Sequence, residues 1–442
     1  MIGYLLEYPS KTGGATGYHW RMQDRILLRL RPSRYRLLGA ALLCVLALGA
    51  DMVWRVAGQR SDAPAQAALG VVSFTNFANL TSATAAKPQA KAASAFAETA
   101  SGTIPMPTNT PAAHASSLLA MPAASPAQML AFWFAGERES APNVQIAMSW
   151  FDRSAQAWMP ARFVLNRFEL GHKLGFGIRR LGNPVAWRDA DGRIHLFVVA
   201  TGLGGWAAGR IAHLQQAGDA AALAAQKPQD YAFEAPSVLP LSWLWNISYL
   251  VRAAPMPLAD GGMLLPVYFE IGIKYPAALR FGPRGEFLGL TRISMRGDTL
   301  QPSVVPISPT HWLAFMRDHS SARQVPVAHT HDAGQTWHDT ANLAVANPGS
   351  SLAALRMPDG RLVMALNSLP DSRRHIDLAL SSDGLAWETA VAMERSGKVD
   401  DEFSYPALAW DGQALWVSYT DQRRSIKWRR FALQAHALEQ GK

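Results

Sequence analysis

Cysteine is almost missing from this sequence: Cys44 is the only one in 442 residues. One thiol can form neither an intrachain disulfide nor a cysteine-based metal cluster, so the fold has to be held by its core. Charge is also sparse, at 17% of residues against 49% hydrophobic, a balance that places the chain among globular proteins rather than charge-rich disordered ones. Acidic residues are the scarcer sign, and the resulting net charge of +9 invites a nucleic-acid reading. Its distribution argues against one. Lys11, Arg21, Arg25, Arg29, Arg31, Arg34 and Arg36 stand against Glu7 and Asp24, so residues 1–36 carry +5 of the +9. No basic helix, zinc-ligand spacing or aromatic RNA-binding signature accompanies the remainder. No nucleic-acid partner is expected, and neither a cofactor nor a metal.

Long apolar runs are scarce as well. The one candidate, residues 37–50, contains Cys44, resumes after Asp51 as Met52-Val53-Trp54, and directly follows the arginines of the basic leader 1–36. Positive residues ahead of an apolar segment hold an N-terminus in the cytoplasm, so 37–54 reads as a signal anchor or a signal peptide. Cleavage after Gly49 or Ala50 is the close competitor, and a buried core helix is the remaining alternative. Residues 55–110 are dominated by Ala, Ser, Thr, Pro and Gln without a sustained period, and read as a disordered linker. The folded domain is therefore expected over 111–434, as a monomer. It should fold without residues 1–104, outside the cytoplasm, and meet the membrane only through the N-terminal segment, or be secreted if the leader is removed.

From residue 111 the texture changes to short β-rich runs. Asp191-Gly192, Asp260-Gly261, Asp359-Gly360 and Asp411-Gly412 each stand between two such runs, the strongest short-range hairpin signal. Ala124-Ser125 and Ser308-Pro309 fit the same frame. Anchored at 125, 191, 260, 308, 359 and 411, the hairpins recur every 48–69 residues, the longer spacings being filled by apparent insertions at 165–180 and 214–234. Six similar hairpins predict an all-β fold, a six-bladed β-propeller.

Strands of a blade are antiparallel, so the start of the first and the end of the second lie at one end. The entrances of the six first strands carry His114, Asn183, Asn246 with Ser248, Gln301, Asn347 and Tyr405. Just beyond the second strands come Glu137-Arg138-Glu139, Trp206, Lys274, Arg317, Arg373-Arg374 and Arg423-Arg424. Singly, each polar entrance residue is more simply a backbone cap. Together with the basic loops they predict a pocket for an anionic small molecule, because arginine forks pair with carboxylates bidentately and polar side chains read hydroxyls.

The opposite end is expected to hold the turns. In Thr330-His331-Asp332-Ala333-Gly334-Gln335-Thr336-Trp337, Asp332 can cap free N–H groups, Gly334 can take a positive φ, and Trp337 can fold back between strands. The pattern returns more weakly in Ser381-Ser382-Asp383-Gly384-Leu385-Ala386-Trp387 and in Ser149-Trp150-Phe151-Asp152 with Trp158. This pattern resembles the Asp box of the sialidase (neuraminidase) family and its BNR-repeat relatives, whose fold is a six-bladed propeller. The resemblance covers roughly 111–434.

What the resemblance implies is specific. Ser404-Tyr405-Pro406-Ala407-Leu408 stands where the family's nucleophilic tyrosine opens the last blade, and a tyrosine suits an anionic substrate that would repel a carboxylate nucleophile. Arg317 looks like the second arginine of the family's triad and Arg373 like the third, with Arg374 as its alternative. Gln301 stands where the family has the glutamate that assists the tyrosine, and His114 where the first arginine would be. In the loop expected to bear the acid/base aspartate, Asn143 is near that position and Glu139 is the possible substitute. Arg138, Asn183, Asn347 and Trp206 complete the expected sugar-binding set. The implied function is a retaining exo-α-sialidase-type hydrolase acting on a terminal sialic acid or a related acidic sugar. Two alternatives stand beside it: a non-catalytic acidic-glycan-binding or scaffolding propeller, and a uronic-acid polysaccharide lyase or hydrolase that uses His114 and Tyr405 as base and acid.

Overall fold

A computed structural model describes residues 34–57, 65–69 and 95–434. The basic leader expected over 1–36 lies largely outside the described residues. The chain divides into two units, Met1–Ala50 and Asp51–Lys442. A helix runs over Arg34–Ala57, and its stretch Leu37–Arg55 is long and apolar enough to cross a membrane. An anchor and a signal peptide both meet that criterion. Leu37, Leu38, Leu42, Leu43, Val45 and Leu46 are exposed, which removes the buried core helix as an alternative.

The second unit is a propeller of six antiparallel sheets. From the axis outward, blade 1 is Ala112–Ala120, Ala127–Gly136, Gln145–Asp152 and Ala157–Trp158, with Arg162–Leu165 also paired to its third strand. Blade 2 is Arg180–Arg188, Ile194–Thr201, Gly209–Gln216 and Phe233–Val238. Blade 3 splits its innermost strand into Tyr249–Val251 and Met256–Pro257, followed by Met263–Phe269, Tyr275–Phe281 and Phe287–Arg292. Blade 4 is Thr299–Pro306, Trp312–Asp318, Val327–Thr330 and His338–Asp339. Blade 5 is Ala353–Arg356, Leu362–Leu366, His375–Ser381 and Glu388–Arg395. Blade 6 is Phe403–Trp410, Ala414–Asp421, Ser425–Leu433 and, from far upstream, Phe96–Thr103.

All six predicted hairpins join the first and second strands of their blades. The second strands are apolar almost throughout because both faces are covered: each of six buried clusters bridges two neighbouring blades. Phe132 and Ile146 of blade 1 share a cluster with Leu196 and Val198 of blade 2, and around the ring Phe151 of blade 1 meets Trp416 and Trp428 of blade 6 with ring centres 4.9 and 5.5 Å apart. The three polar turns join third and fourth strands, as expected for structural elements. Asp332 accepts from Thr336 N at 2.9 Å and from Thr330 Oγ1 at 2.7 Å, and Asp383 accepts from Ala386 N at 2.9 Å. Gly334 has φ +83°, and a Cβ there would stand 2.7 Å from Trp312.

The linker expectation needs correction. Residues 96–103, placed within the linker 55–110, pair with Lys427–Leu433 of the third strand and close the ring. Their sequence hides this, since only Phe96 is buried and the strand forms because the open edge of blade 6 offers unpaired N–H and C=O groups. A second piece of the expected linker, 65–69, lies against blades 3 and 4 through Ala68 N to Pro257 O at 3.0 Å and Ala67 N to Pro309 O at 2.8 Å. The expected insertion 165–180 carries a helix, Arg167–Leu174, capped by Asn166. The span 214–234 is only partly an insertion: it begins in the third strand of blade 2, carries the helix Ala220–Ala225, and ends in the fourth strand.

Candidate active site

Four innermost strands break register near their entrances, between His114 and Ser117, Gly182 and Val185, Leu300 and Ser303, and Ser404 and Ala407. At each break one residue takes a left-handed conformation: Ala115 (φ +56°), Asn183 (+43°), Gln301 (+48°) and Tyr405 (+54°). A non-glycine residue costs about 1–2 kcal/mol in that region, so repeating it in four blades needs the surrounding sheet to enforce it. The bulge turns side chains out of the normal alternation and toward the axis.

Tyr405 is at the centre of the resulting group. Arg317, at the end of the second strand of blade 4, donates from Nη1 to Tyr405 Oη at 3.2 Å and to Gln301 Oε1 at 3.4 Å. Arg252 is buried beneath, with Cζ 5.1 Å from the centre of the Tyr405 ring and its fork held by Pro406 O at 2.9 Å and Ser116 O at 3.3 Å. Burial lowers the Arg252 pKa to about 10, which leaves it charged at neutral pH. Burial pushes the Tyr405 phenol up, but Arg317, the Gln301 amide, Arg373 and Arg252 outweigh it and hold the phenol below the usual tyrosine range. Its neighbour Tyr268 goes the other way: burial and then Glu270 and Tyr405 raise it, so it stays protonated while bonded by Gln301 Nε2 at 3.4 Å and Asn183 Nδ2 at 3.5 Å.

His114 packs against Tyr405 with ring centres 4.2 Å apart. It is buried, and desolvation followed by the charges of Arg423, Arg252, Arg373 and Arg317 lowers its pKa well below the usual value, so the ring is neutral. Its Nδ1 has no partner among the described residues. Beside it, His114, Arg138, Glu139 and Arg423 line one small cleft. Arg423 forms an ion pair with Glu139 and also binds Glu402 through Nε at 2.8 Å; Glu402 in turn takes Arg373 Nη1 at 3.0 Å and Ser404 Oγ at 2.6 Å. Arg373 Nη2 also donates to Gly349 O at 2.9 Å.

The structure thus brings His114, Gln301, Arg317 and Tyr405 together, with Asn183 and Arg373 one link away. Trp206 stands over Gly182, where a Cβ would meet its ring at 2.3 Å, and 6.4 Å from the Phe134 ring that edges His114. Two expected site residues are engaged otherwise. Asn347 is buried, its Oδ1 accepting from Gly349 N at 3.0 Å and Ser350 N at 3.1 Å and its Nδ2 donating to Ser350 O at 3.0 Å, so the amide organises its own loop. Asn143 is exposed and caps Glu137 N at 3.3 Å. Both contacts follow from asparagine's reach to backbone two to six residues away. Sequence reasoning missed Arg252, Tyr268 and Glu402. Arg252 had a signal, as a charge interrupting the apolar stretch around Tyr249–Val251; Tyr268 had none, being one more aromatic in an apolar second strand.

Solved structures with this fold include a Hadza microbial sialidase, at 17% identity and TM-score 0.59 over 73% of this chain and 66% of that one. A protein of unknown function from Dyadobacter fermentans matches at 14% identity and TM-score 0.56 over 77% of this chain and all of that one. Trypanosoma rangeli sialidase matches at 10% identity and TM-score 0.56, with 76% of this chain and 58% of that one covered. This chain thus spans just under two thirds of the length of the two sialidases or less. No curated protein sequence matches it. Residues 127–417, about two thirds of the chain, match the family model described as a BNR repeat-like domain, and the chain belongs to that family of BNR-repeat, sialidase-like propellers.

Proposed function

We propose that this propeller is a sialidase-type glycoside hydrolase that releases a terminal sialic acid or related acidic sugar with Tyr405 as nucleophile. The observation that carries the reading is the phenol of Tyr405 held 3.2 Å from the Arg317 guanidinium and lowered in pKa by the arginines around it. Arg317 and Arg373 hold the substrate carboxylate. The Tyr405 oxygen forms a bond to the anomeric carbon as the glycosidic bond breaks, and water then releases the sugar from the tyrosine. Gln301 cannot accept the phenolic proton. The arginines that keep His114 neutral also oppose its protonation, so the phenolic proton leaves to solvent, favoured by the arginines that stabilise the phenolate. Glu139 protonates the leaving oxygen, for which its ion pair with Arg423 has to open. The helix Arg34–Ala57 tethers the domain at a membrane, with the propeller outside the cytoplasm because arginines precede the apolar stretch.

An amide at Gln301 favours one second reading, an acidic-glycan-binding propeller without turnover. One experiment separates the two. A fluorinated sialoside trap incubated with the wild-type chain should label the peptide containing Tyr405, and Tyr405→Phe should lose labelling and turnover while keeping ligand binding. Turnover surviving in Tyr405→Phe would refute the nucleophile. Binding without labelling or turnover in the wild type would establish the binding module.

A further inference from the structure

Three histidines meet on blade 4, at the end opposite the Tyr405 cleft. His311 follows the Ser308-Pro309 turn, His329 belongs to the third strand, and His331 opens the polar turn that leads to the fourth. One ring nitrogen of each lies within 4.8 Å of those of the other two. The rings of His311 and His331 stack with centres 4.2 Å apart, and those of His329 and His331 meet edge to face at 4.9 Å. His329 and His331 are two residues apart, and pairing of the second and third strands of blade 4 brings His311 to them. Nothing in the sialidase-type reading uses them.

The backbone around the group is set. His311 O accepts from Ile307 N at 2.8 Å and Ser308 N at 3.0 Å, while its own N–H donates to Ser308 Oγ at 3.0 Å. Ala333 N donates to Thr310 O at 3.0 Å and ties the two turns together. Asp332, next to His331, is engaged by Thr330 and Thr336 within the turn. His329 lies in register opposite both Leu313 and His338.

We propose that His311, His329 and His331 form a binding site for a divalent transition metal of the zinc class. Three imidazole nitrogen donors with no carboxylate among them select zinc, copper, nickel or cobalt over magnesium and calcium, which require oxygen ligands. Nitrogens around a tetrahedral zinc stand about 3.4 Å apart for bonds of about 2.0–2.1 Å, so closing the site takes side-chain rotation on an unmoved backbone. The fourth position is open to water or to His338, whose exposed ring lies 5.8 Å from that of His329. A metal here would pin the 308–311 turn to the 330–337 turn.

The test uses the full chain purified through a histidine-free tag and stripped with EDTA. Titration with zinc chloride against a chromophoric chelator should show one zinc per chain, and zinc but not magnesium should raise the thermal midpoint by a few degrees. His311→Ala with His331→Ala should weaken zinc binding by about 100-fold or more. His331 is exposed, so His331→Gln alone leaves the core intact and should weaken binding by about tenfold or more. Wild-type chain that takes up no zinc, or zinc binding of equal stoichiometry and affinity in the double variant, would overturn the proposal.

Discussion

Replacing Arg317 with Met removes a guanidinium from the cleft while keeping most of the side chain's length. Among the described residues it donates to Tyr405 Oη at 3.2 Å and Gln301 Oε1 at 3.4 Å, and its Nε has no partner. Each bond is long and worth about 1 kcal/mol net, and the change also relieves repulsion among Arg317, Arg252 and Arg373, so stability should move by less than about 2 kcal/mol. Ionisation of Tyr405 should respond far more. A phenolate and a guanidinium 3.2 Å apart attract by on the order of 5 kcal/mol at an effective dielectric of about 20. Without that attraction burial is opposed by Gln301, Arg373 and Arg252, and the phenol has to titrate at higher pH. Carbon NMR of ring-labelled tyrosine follows this directly, with the signal among 10 tyrosines assigned from the Tyr405→Phe spectrum, and urea unfolding checks stability. Binding of an acidic sugar should weaken by about 10–150-fold, the equivalent of one charge-assisted hydrogen bond of about 1.5–3 kcal/mol. A Tyr405 titration that stays put or moves down, in a variant of wild-type stability, would refute the electrostatic account.

Three further outcomes follow from the fold. His213 is buried, bonded through Nε2 to His195 Nδ1 at 2.8 Å, and lowered to about 3 by burial and then by His195. Its folded-state value lies below the unfolded one, so its contribution is complete above about pH 6.5 and is lost toward pH 3, at up to about 1.4 kcal/mol per pH unit; His213→Gln should flatten the acid limb of a stability profile, and parallel limbs would contradict this. Trp337 is only half-buried, donates from Nε1 to Gly334 O at 3.2 Å and lies 6.4 Å from the Trp312 ring, so Trp337→Ala should cost about 2–3 kcal/mol in urea unfolding and leave the Tyr405 titration untouched. A chain beginning at residue 105 lacks Phe96–Thr103 and exposes the edge of Ser425–Leu433, so it should melt lower or aggregate where a chain beginning at 90 does not; equal melting and solubility would show that the closing strand is dispensable.

What could be read from the residues in order was local. Asp-Gly turns, short apolar runs and the Asp332 turn act over a few residues, so six hairpins and their spacing were visible in the chain, and with them the six blades. The entrance positions were visible too, because strand direction alone assigns them to one end. What stayed hidden depended on partners distant in sequence. Phe96–Thr103 has one large side chain and becomes a strand only because blade 6 presents an open edge. Asn347 and Tyr405 look alike as polar entrances. Only the assembled backbone decides that one amide caps its own loop while the other residue, forced to φ +54° at a bulge, turns its phenol toward Arg317 and the buried Arg252. A hydrogen bond or a charge acts over a few ångströms, and in a closed ring those ångströms separate Arg317 from Tyr405, 88 positions away, and Arg252 from Pro406, 154 positions away.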